Sequence, residues 1–211
     1  GGMIAIIDYG VGNLFSLKSS LGAIGEEAVV TRDESVLDRA DHIILPGVGA
    51  FGDAVQKLRD TGMFQVVLDQ AAKGKPILGI CLGMQLLFEK SFEYGEHAGL
   101  GLIQGEVRDI RTVIPQNLAV PHMGWNGLHF PADRPRSPIF ADLAEGEHVY
   151  FVHSFAGFDC KGQCTATTEY GAELTAAVQN GNVYGTQFHP EKSGETGLKI
   201  LKAFCRLEGK A

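Results

Sequence analysis

Residues 76–83 read Pro76-Ile77-Leu78-Gly79-Ile80-Cys81-Leu82-Gly83, an apolar run that ends in Gly-x-Cys-x-Gly and continues apolar to Phe88. The pattern predicts a buried strand over 76–80, a sharp turn at Cys81 and a helix over 82–88. At such an elbow the central side chain stands clear of the backbone, and small flanking residues avoid a clash. A thiol there also meets the unpaired N–H groups of a helix start, which favour thiolate. Cys81 is therefore a candidate nucleophile; the competing reading of the pentapeptide is a buried, inert cysteine at a Gly-rich strand end.

On the N-terminal side of the elbow, short β-branched runs alternate with helical patterns. Strands are predicted over 4–7, 28–31 and 42–45. Helices are predicted after Asn13 as N-cap, on apolar Leu14, Leu17 and Leu21, and over 33–39 and 51–59. Strands that alternate with helices imply an open, mostly parallel or mixed α/β sheet with flanking helices. Beyond residue 104 the texture becomes β-rich, with runs at 107–110, 125–130, 148–154, 164–168, 174–179 and 182–187, and predicts a mixed sheet. Gly181-Asn182 marks a hairpin between the last two. The tail over 196–207 places Leu198, Leu201, Phe204 and Cys205 on one helical face.

With 211 residues, the chain suits one domain over 3–211, Gly1 and Gly2 before Met3 reading as a cloning scar. The balance of 18 basic against 25 acidic residues argues against nucleic acid or an anionic membrane as partner. The uncharged run 77–88 falls well short of the roughly 20 residues that span a bilayer. No export signal is visible, and four scattered cysteines suit a reducing, cytoplasmic setting. Cys160 and Cys164 lack neighbours at zinc-site spacing, and the pattern calls for no metal and no cofactor.

The second chemical signal is Gly185-Thr186-Gln187-Phe188-His189-Pro190-Glu191. Pro190 biases His189 toward an extended conformation, and an extended i, i+2 pair puts His189 and Glu191 on one side. Glu191 then orients one imidazole nitrogen while the other faces a nucleophile. Alone, the tripeptide is more readily a surface turn with a solvated charge. Together the two motifs give Cys, His and Glu at the carboxyl ends of two strands, where active sites of open α/β sheets gather. An attacked carbonyl also needs an oxyanion hole. The N–H of Leu82 is one candidate donor, and Pro46-Gly47-Val48-Gly49 supplies a second if its flexible backbone turns inward.

GICLGMQ with FHPE resembles the triad, or class I, glutamine amidotransferases, which implies a flavodoxin-like domain. IAIIDYGVGNLFSLKSSL at the start, PGVGAF at 46–51, PHMGWN at 121–126, YFVHSF at 150–155 and GTQFHPEKS narrow the likeness to the family of glutaminase subunits of imidazole glycerol phosphate synthase. The resemblance spans nearly the whole chain and implies that Cys81 forms a γ-glutamyl thioester with substrate glutamine. It makes His189 the proton carrier and Glu191 its orienter. Val48 and Leu82 become the oxyanion donors, and Gly47, Gly49, Gln85, Glu93, Ser154 and Phe155 the glutamine contacts. Phe155 stands where relatives commonly carry tyrosine. The family pairs with a (β/α)8 cyclase subunit that receives the ammonia in histidine biosynthesis, and Pro121, His122, Met123, Trp125, Asn126, Tyr150 and Lys192 fall on positions expected at that interface. A lone Trp is otherwise more often a core residue. The alternatives are a glutaminase of another pathway, a γ-glutamyl hydrolase and a non-catalytic binding module of the same fold.

Overall fold

A computed structural model describes residues 2–209. Its first half runs β1 (Met3–Ile7), α1 (Leu14–Ala23), β2 (Glu27–Thr31), α2 (Glu34–Arg39), β3 (His42–Leu45), α3 (Phe51–Asp60), α4 (Met63–Ala72), β4 (Ile77–Ile80) and α5 (Leu82–Leu86). The second half runs β5 (Phe88–Ser91), β6 (His97–Ala98), β7 (Ile103–Asp109), β8 (His122–Gly127), β9 (His148–His153), β10 (Phe155–Phe158), β11 (Cys164–Glu169), β12 (Glu173–Asn180), β13 (Val183–Thr186) and α6 (Gly194–Cys205).

The main sheet has the order β11-β12-β13-β4-β3-β1-β2. From β13 to β2 all pairs are parallel, and β11 and β12 continue the sheet antiparallel. Its middle strands are buried along their length because both faces are covered, as is usual for parallel strands. Successive side chains alternate faces, so each strand feeds two cores. Ala5, Ile7, Ile43, Leu45 and Ile77 pack with Leu37, Leu58 and Val67 of α2, α3 and α4. Ile4, Ile6, Ile44, Leu78 and Ile80 pack with Leu17 and Leu21 of α1 and with Ile200, Leu201 and Phe204 of α6.

Several elements depart from the sequence pattern. The helix after Cys81 stops at Leu86, and Phe88 opens a strand of a second sheet, β10-β7-β5-β6. A continuous apolar run reports burial but not period. α4 occupies a segment where no element was expected, and β5, β6 and β10 are too short or too polar to stand out. The late strands do not close on themselves: β11, β12 and β13 extend the first sheet, while β8 and β9 form a separate two-stranded ribbon. The hairpin at Gly181-Asn182 is present, with Asn180 paired to Val183 and Gly181 at φ +58°. Asn13 sits at the N-cap of α1 without a capping side-chain bond.

Candidate active site

Cys81 ends β4 with φ 56° and ψ −114°, a conformation that costs a non-glycine residue about 1–3 kcal/mol. Packing enforces it. A Cβ on Gly83 would lie 1.9 Å from the Leu45 carbonyl oxygen, and one on Gly79 would lie 2.6 Å from that of Gly83. The Cys81 N–H donates to the Thr186 carbonyl at 2.8 Å, tying the elbow to β13. With α5 only five residues long, the helix dipole is a small contribution, and the groups around the sulfur matter more.

His189 follows β13 by three residues in extended backbone (φ −99°, ψ 101°). A 3-10 turn over Pro190–Lys192, and not the extended i, i+2 pair the sequence suggested, brings Glu191 Oε2 to 3.1 Å from His189 Nδ1. The two side chains are only 5% and 6% exposed. Glu191 Oε1 has no hydrogen-bond partner among the described residues. The Ser193 hydroxyl donates to the His189 carbonyl at 2.6 Å, which fixes the turn. Burial alone would depress the imidazole. Hydrogen bonds to Cys81 and then Glu191, together with their charges, outweigh it and raise the His189 pKa. The charged form of the ring is thus favoured by its place between a carboxylate and a sulfur.

These groups open on a cleft of about 380 Å³, within the roughly 300–1,000 Å³ usual for small-molecule sites. Cys81, Leu82 and Gln85 form its floor, and Val48 and Gly49 one rim. Glu93, Pro121, the segment 152–155 and His189 complete the walls. Gln85 Nε2 donates to the Phe155 carbonyl and to Gln187 Oε1, each at 3.2 Å. Gln187 Nε2 in turn donates to Cys81 Sγ at 3.9 Å. The sequence reading passed over Gln187 and His153. Gln187 carries a usable signal, since it precedes His189 by two residues on the same strand end. His153 has none, because only the fold brings it to the cleft.

The two N–H donors expected for an oxyanion hole are not both free to face the cleft. The Leu82 N–H donates to the Gly47 carbonyl at 3.3 Å, so the donor expected to face substrate is occupied, and Gly47 lies behind the wall instead of lining the cleft. Gly49 does line it, in the left-handed region at φ +95°. Glu93 is neither free nor fully solvated: its Oε1 accepts the Phe51 N–H at 2.7 Å, capping α3, while the residue lines the cleft.

On the ribbon β8-β9, Met123 and Trp125 alternate onto one exposed face, and Trp125 lies beside Tyr150 at 6.0 Å between ring centroids. With Trp125 53% exposed, the core reading of the lone tryptophan does not hold. Pro121 and Lys192 are exposed, and Asn126 and Tyr150 half-buried. His122 departs from expectation. It is 1% exposed, turned inward by the strand's alternation and stacked between Phe151 and Tyr170. Its Nδ1 lies 2.9 Å from Nε2 of His153, whose Nδ1 donates to the Phe155 carbonyl. Burial lowers His153 to about 4. Cys160 and Cys164 are buried thiols, and burial raises Cys164 to about 11.

The family profile described as Glutamine amidotransferase class-I matches residues 5–207. The chain is 48% identical over 206 residues to the imidazole glycerol phosphate synthase subunit HisH of Sulfurimonas denitrificans, covering 97% of this chain and 98% of that one. Its identity to the same subunit of Aquifex aeolicus is 47%, covering 95% of each. Among solved structures, a glutamine amidotransferase superposes with a TM-score of 0.72 at 20% identity, covering 96% of this chain and 98% of the other. The structure titled PurLQS from Thermotoga maritima gives 0.71 at 23% identity, covering 96% and 97%. At those identities the structural likeness speaks for the fold.

Proposed function

This chain belongs to the class-I glutamine amidotransferase family, and we propose that it is the glutaminase subunit of an imidazole glycerol phosphate synthase, working in the cytoplasm as one domain over 3–211. The observation that carries the reading is the convergence of Cys81, on a strained elbow, with the buried His189–Glu191 pair in one cleft.

In this reading the Cys81 sulfur attacks the side-chain carbonyl carbon of glutamine. The carbon–nitrogen bond breaks as His189 delivers its proton to the departing nitrogen, leaving a γ-glutamyl thioester and ammonia. His189, now neutral, takes a proton from water, which attacks the thioester and releases glutamate. Glu191 holds the ring through Nδ1 so that the opposite nitrogen faces the sulfur. Glu93 takes the substrate ammonium, and Gln85, Gly49 and the Ser154–Phe155 backbone grip the rest of the head group. Gly47 acts from behind the wall. Val48 and Leu82 provide the oxyanion donors once the Gly47 carbonyl leaves the Leu82 N–H. Ammonia passes to a (β/α)8 cyclase subunit docked on Pro121, Met123, Trp125, Tyr150 and Lys192, with Asn126 at its margin and His122 supporting the strand from inside.

The decisive test is Cys81→Ala, assayed with the cyclase and its nucleotide substrate. Glutamine-dependent synthesis should vanish while synthesis from added ammonium continues at the wild-type rate. Loss of both activities would make Cys81 a structural residue and sink the proposal.

A further inference from the structure

Two buried amides lie between the cleft wall and the sulfur, and one backbone carbonyl sets the direction of both. The Phe155 carbonyl oxygen can only accept a hydrogen bond. Of the two ends of the Gln85 amide, the one 3.2 Å from that oxygen must therefore be the nitrogen. The same nitrogen lies 3.2 Å from the side chain of Gln187 and has a second proton to give, so the Gln187 atom it meets must be Oε1. The Gln187 nitrogen is left pointing at Cys81 Sγ, 3.9 Å away.

Reversing either amide is costly. Gln187 is fully buried and Gln85 is 6% exposed. Turning Gln85 over would set its oxygen against two other oxygens, and turning Gln187 over would set nitrogen against nitrogen, in a place where water cannot repair the loss. Their backbones are fixed as well. The Gln85 N–H closes a turn onto the Cys81 carbonyl at 3.2 Å, and the Gln187 N–H donates to the Ala176 carbonyl at 2.8 Å.

Both protons of Gln85 Nε2 are thus taken up inside the protein, and the end of the side chain left for the cleft is its oxygen. No described residue donates to Gln85 Oε1, and that oxygen is not sealed from the cleft. An acceptor needs a donor, and glutamine carries two, the α-ammonium and the side-chain nitrogen that departs. The departing nitrogen belongs beside His189, which protonates it. The Gln85 amide lies instead against the wall over 152–155, which takes the head group together with Glu93, so its oxygen falls to the α-ammonium.

We propose that Gln187 is a positioning residue that, by accepting the second proton of Gln85 Nε2, turns Gln85 Oε1 toward the α-ammonium of the substrate and so makes the cleft select amides that carry a free α-amino group. Gln187 does not touch the substrate; it acts through Gln85. The inference rests on the glutaminase reading above.

The test is Gln187→Met, which keeps the length of the side chain and removes its amide, in the full chain with the cyclase. Once its second proton is unclaimed, Gln85 can present either end to the cleft. The glutamine KM should rise about ten-fold, the equivalent of about 1.4 kcal/mol. Labelling of Cys81 by a diazoketone analogue of glutamine is then compared with labelling by the same diazoketone lacking the α-amino group. The ratio of the two rates should fall by the same factor of about ten, while any change at the sulfur contact acts on both probes and cancels. In a Gln85→Met background the further change Gln187→Met should leave that ratio where it is. An unchanged ratio, an unchanged KM, or an equal fall of the ratio in both backgrounds would overturn the proposal. Should the variant not fold, the wild type decides. With the diazoketone adduct on Cys81, both Gln85 Nε2 protons should exchange slowly, and rapid exchange of either would overturn the assignment. Failure of the glutaminase reading shows differently: the wild type with the cyclase would hydrolyse no glutamine and neither diazoketone would label Cys81, which would take the inference down with it.

Discussion

The two sides of the cleft are built differently. On one side Cys81 and His189 follow adjacent parallel strands of the main sheet, β4 and β13, and elbow glycines leave no room for another atom. On the other, the segment over 46–51 is anchored at its ends with Val48 and Gly49 exposed between them, and its inward carbonyl covers the Leu82 N–H. In the proposed reading the groups that make and break bonds are in place, while the Leu82 N–H that would stabilise developing charge is occupied. Preorganised donors are commonly the largest single contribution to catalysis, so, if the proposed roles hold, an occupied donor gives the protein a means of waiting for its partner before it consumes glutamine.

This contrast can be broken in order of expected effect. Gly83→Ala should be the most severe, since its Cβ would meet the Leu45 carbonyl oxygen at 1.9 Å. A loss of about 4 kcal/mol or more in denaturant unfolding is expected, and a stable variant would show that the elbow yields. Val48→Pro removes the proposed second oxyanion N–H. It should cut the cyclase-stimulated glutaminase rate by about 100-fold or more, and a full rate would mean that the hole uses another donor.

Acid tests the wall behind the site. His153 is held neutral by burial, with a pKa lowered to about 4, against roughly 6.5 in the unfolded chain. The unfolded state therefore binds its proton first as pH falls. The stability this residue contributes is present above about pH 6.5 and is lost as pH drops toward 4. About 2 kcal/mol should disappear between pH 7 and 5. Denaturant titrations at both values, with His153→Gln flattening the dependence, would check it. Gly49→Ala is the mildest change: nothing lies within 4 Å of its Cβ, and only the positive φ resists. Its cost should be about 1 kcal/mol, and a penalty as large as at Gly83 would erase the contrast between the two sides.

Much of this is visible in the order of residues. Gly-x-Cys-x-Gly places the proposed nucleophile because its two glycines answer a local steric demand. His-Pro-Glu places the proposed base because its contact spans only two residues. The central strands are legible for a similar reason, since burial on both faces leaves an uninterrupted apolar run. The end of α5, the strand at Phe88, α4 and the inward turn of His122 are not legible. Each depends on which neighbour the chain meets, and a run such as 82–88 gives one apolar signature for either kind of element.

The sequence alone therefore determined the mostly parallel sheet with its flanking helices, the elbow thiol and its imidazole–carboxylate pair, because these follow from side-chain alternation and contacts a few residues long. Only the tertiary structure decided that the Gly47 carbonyl caps Leu82, that Tyr9 and Glu93 pin the two ends of that segment, and that Gln187 reaches the sulfur. Those bonds join residues 35 to 106 positions apart, by Leu82 to Gly47 and Gln187 to Cys81. A hydrogen bond between such distant groups leaves no periodicity in the chain; it exists once the sheet has brought the strand ends together.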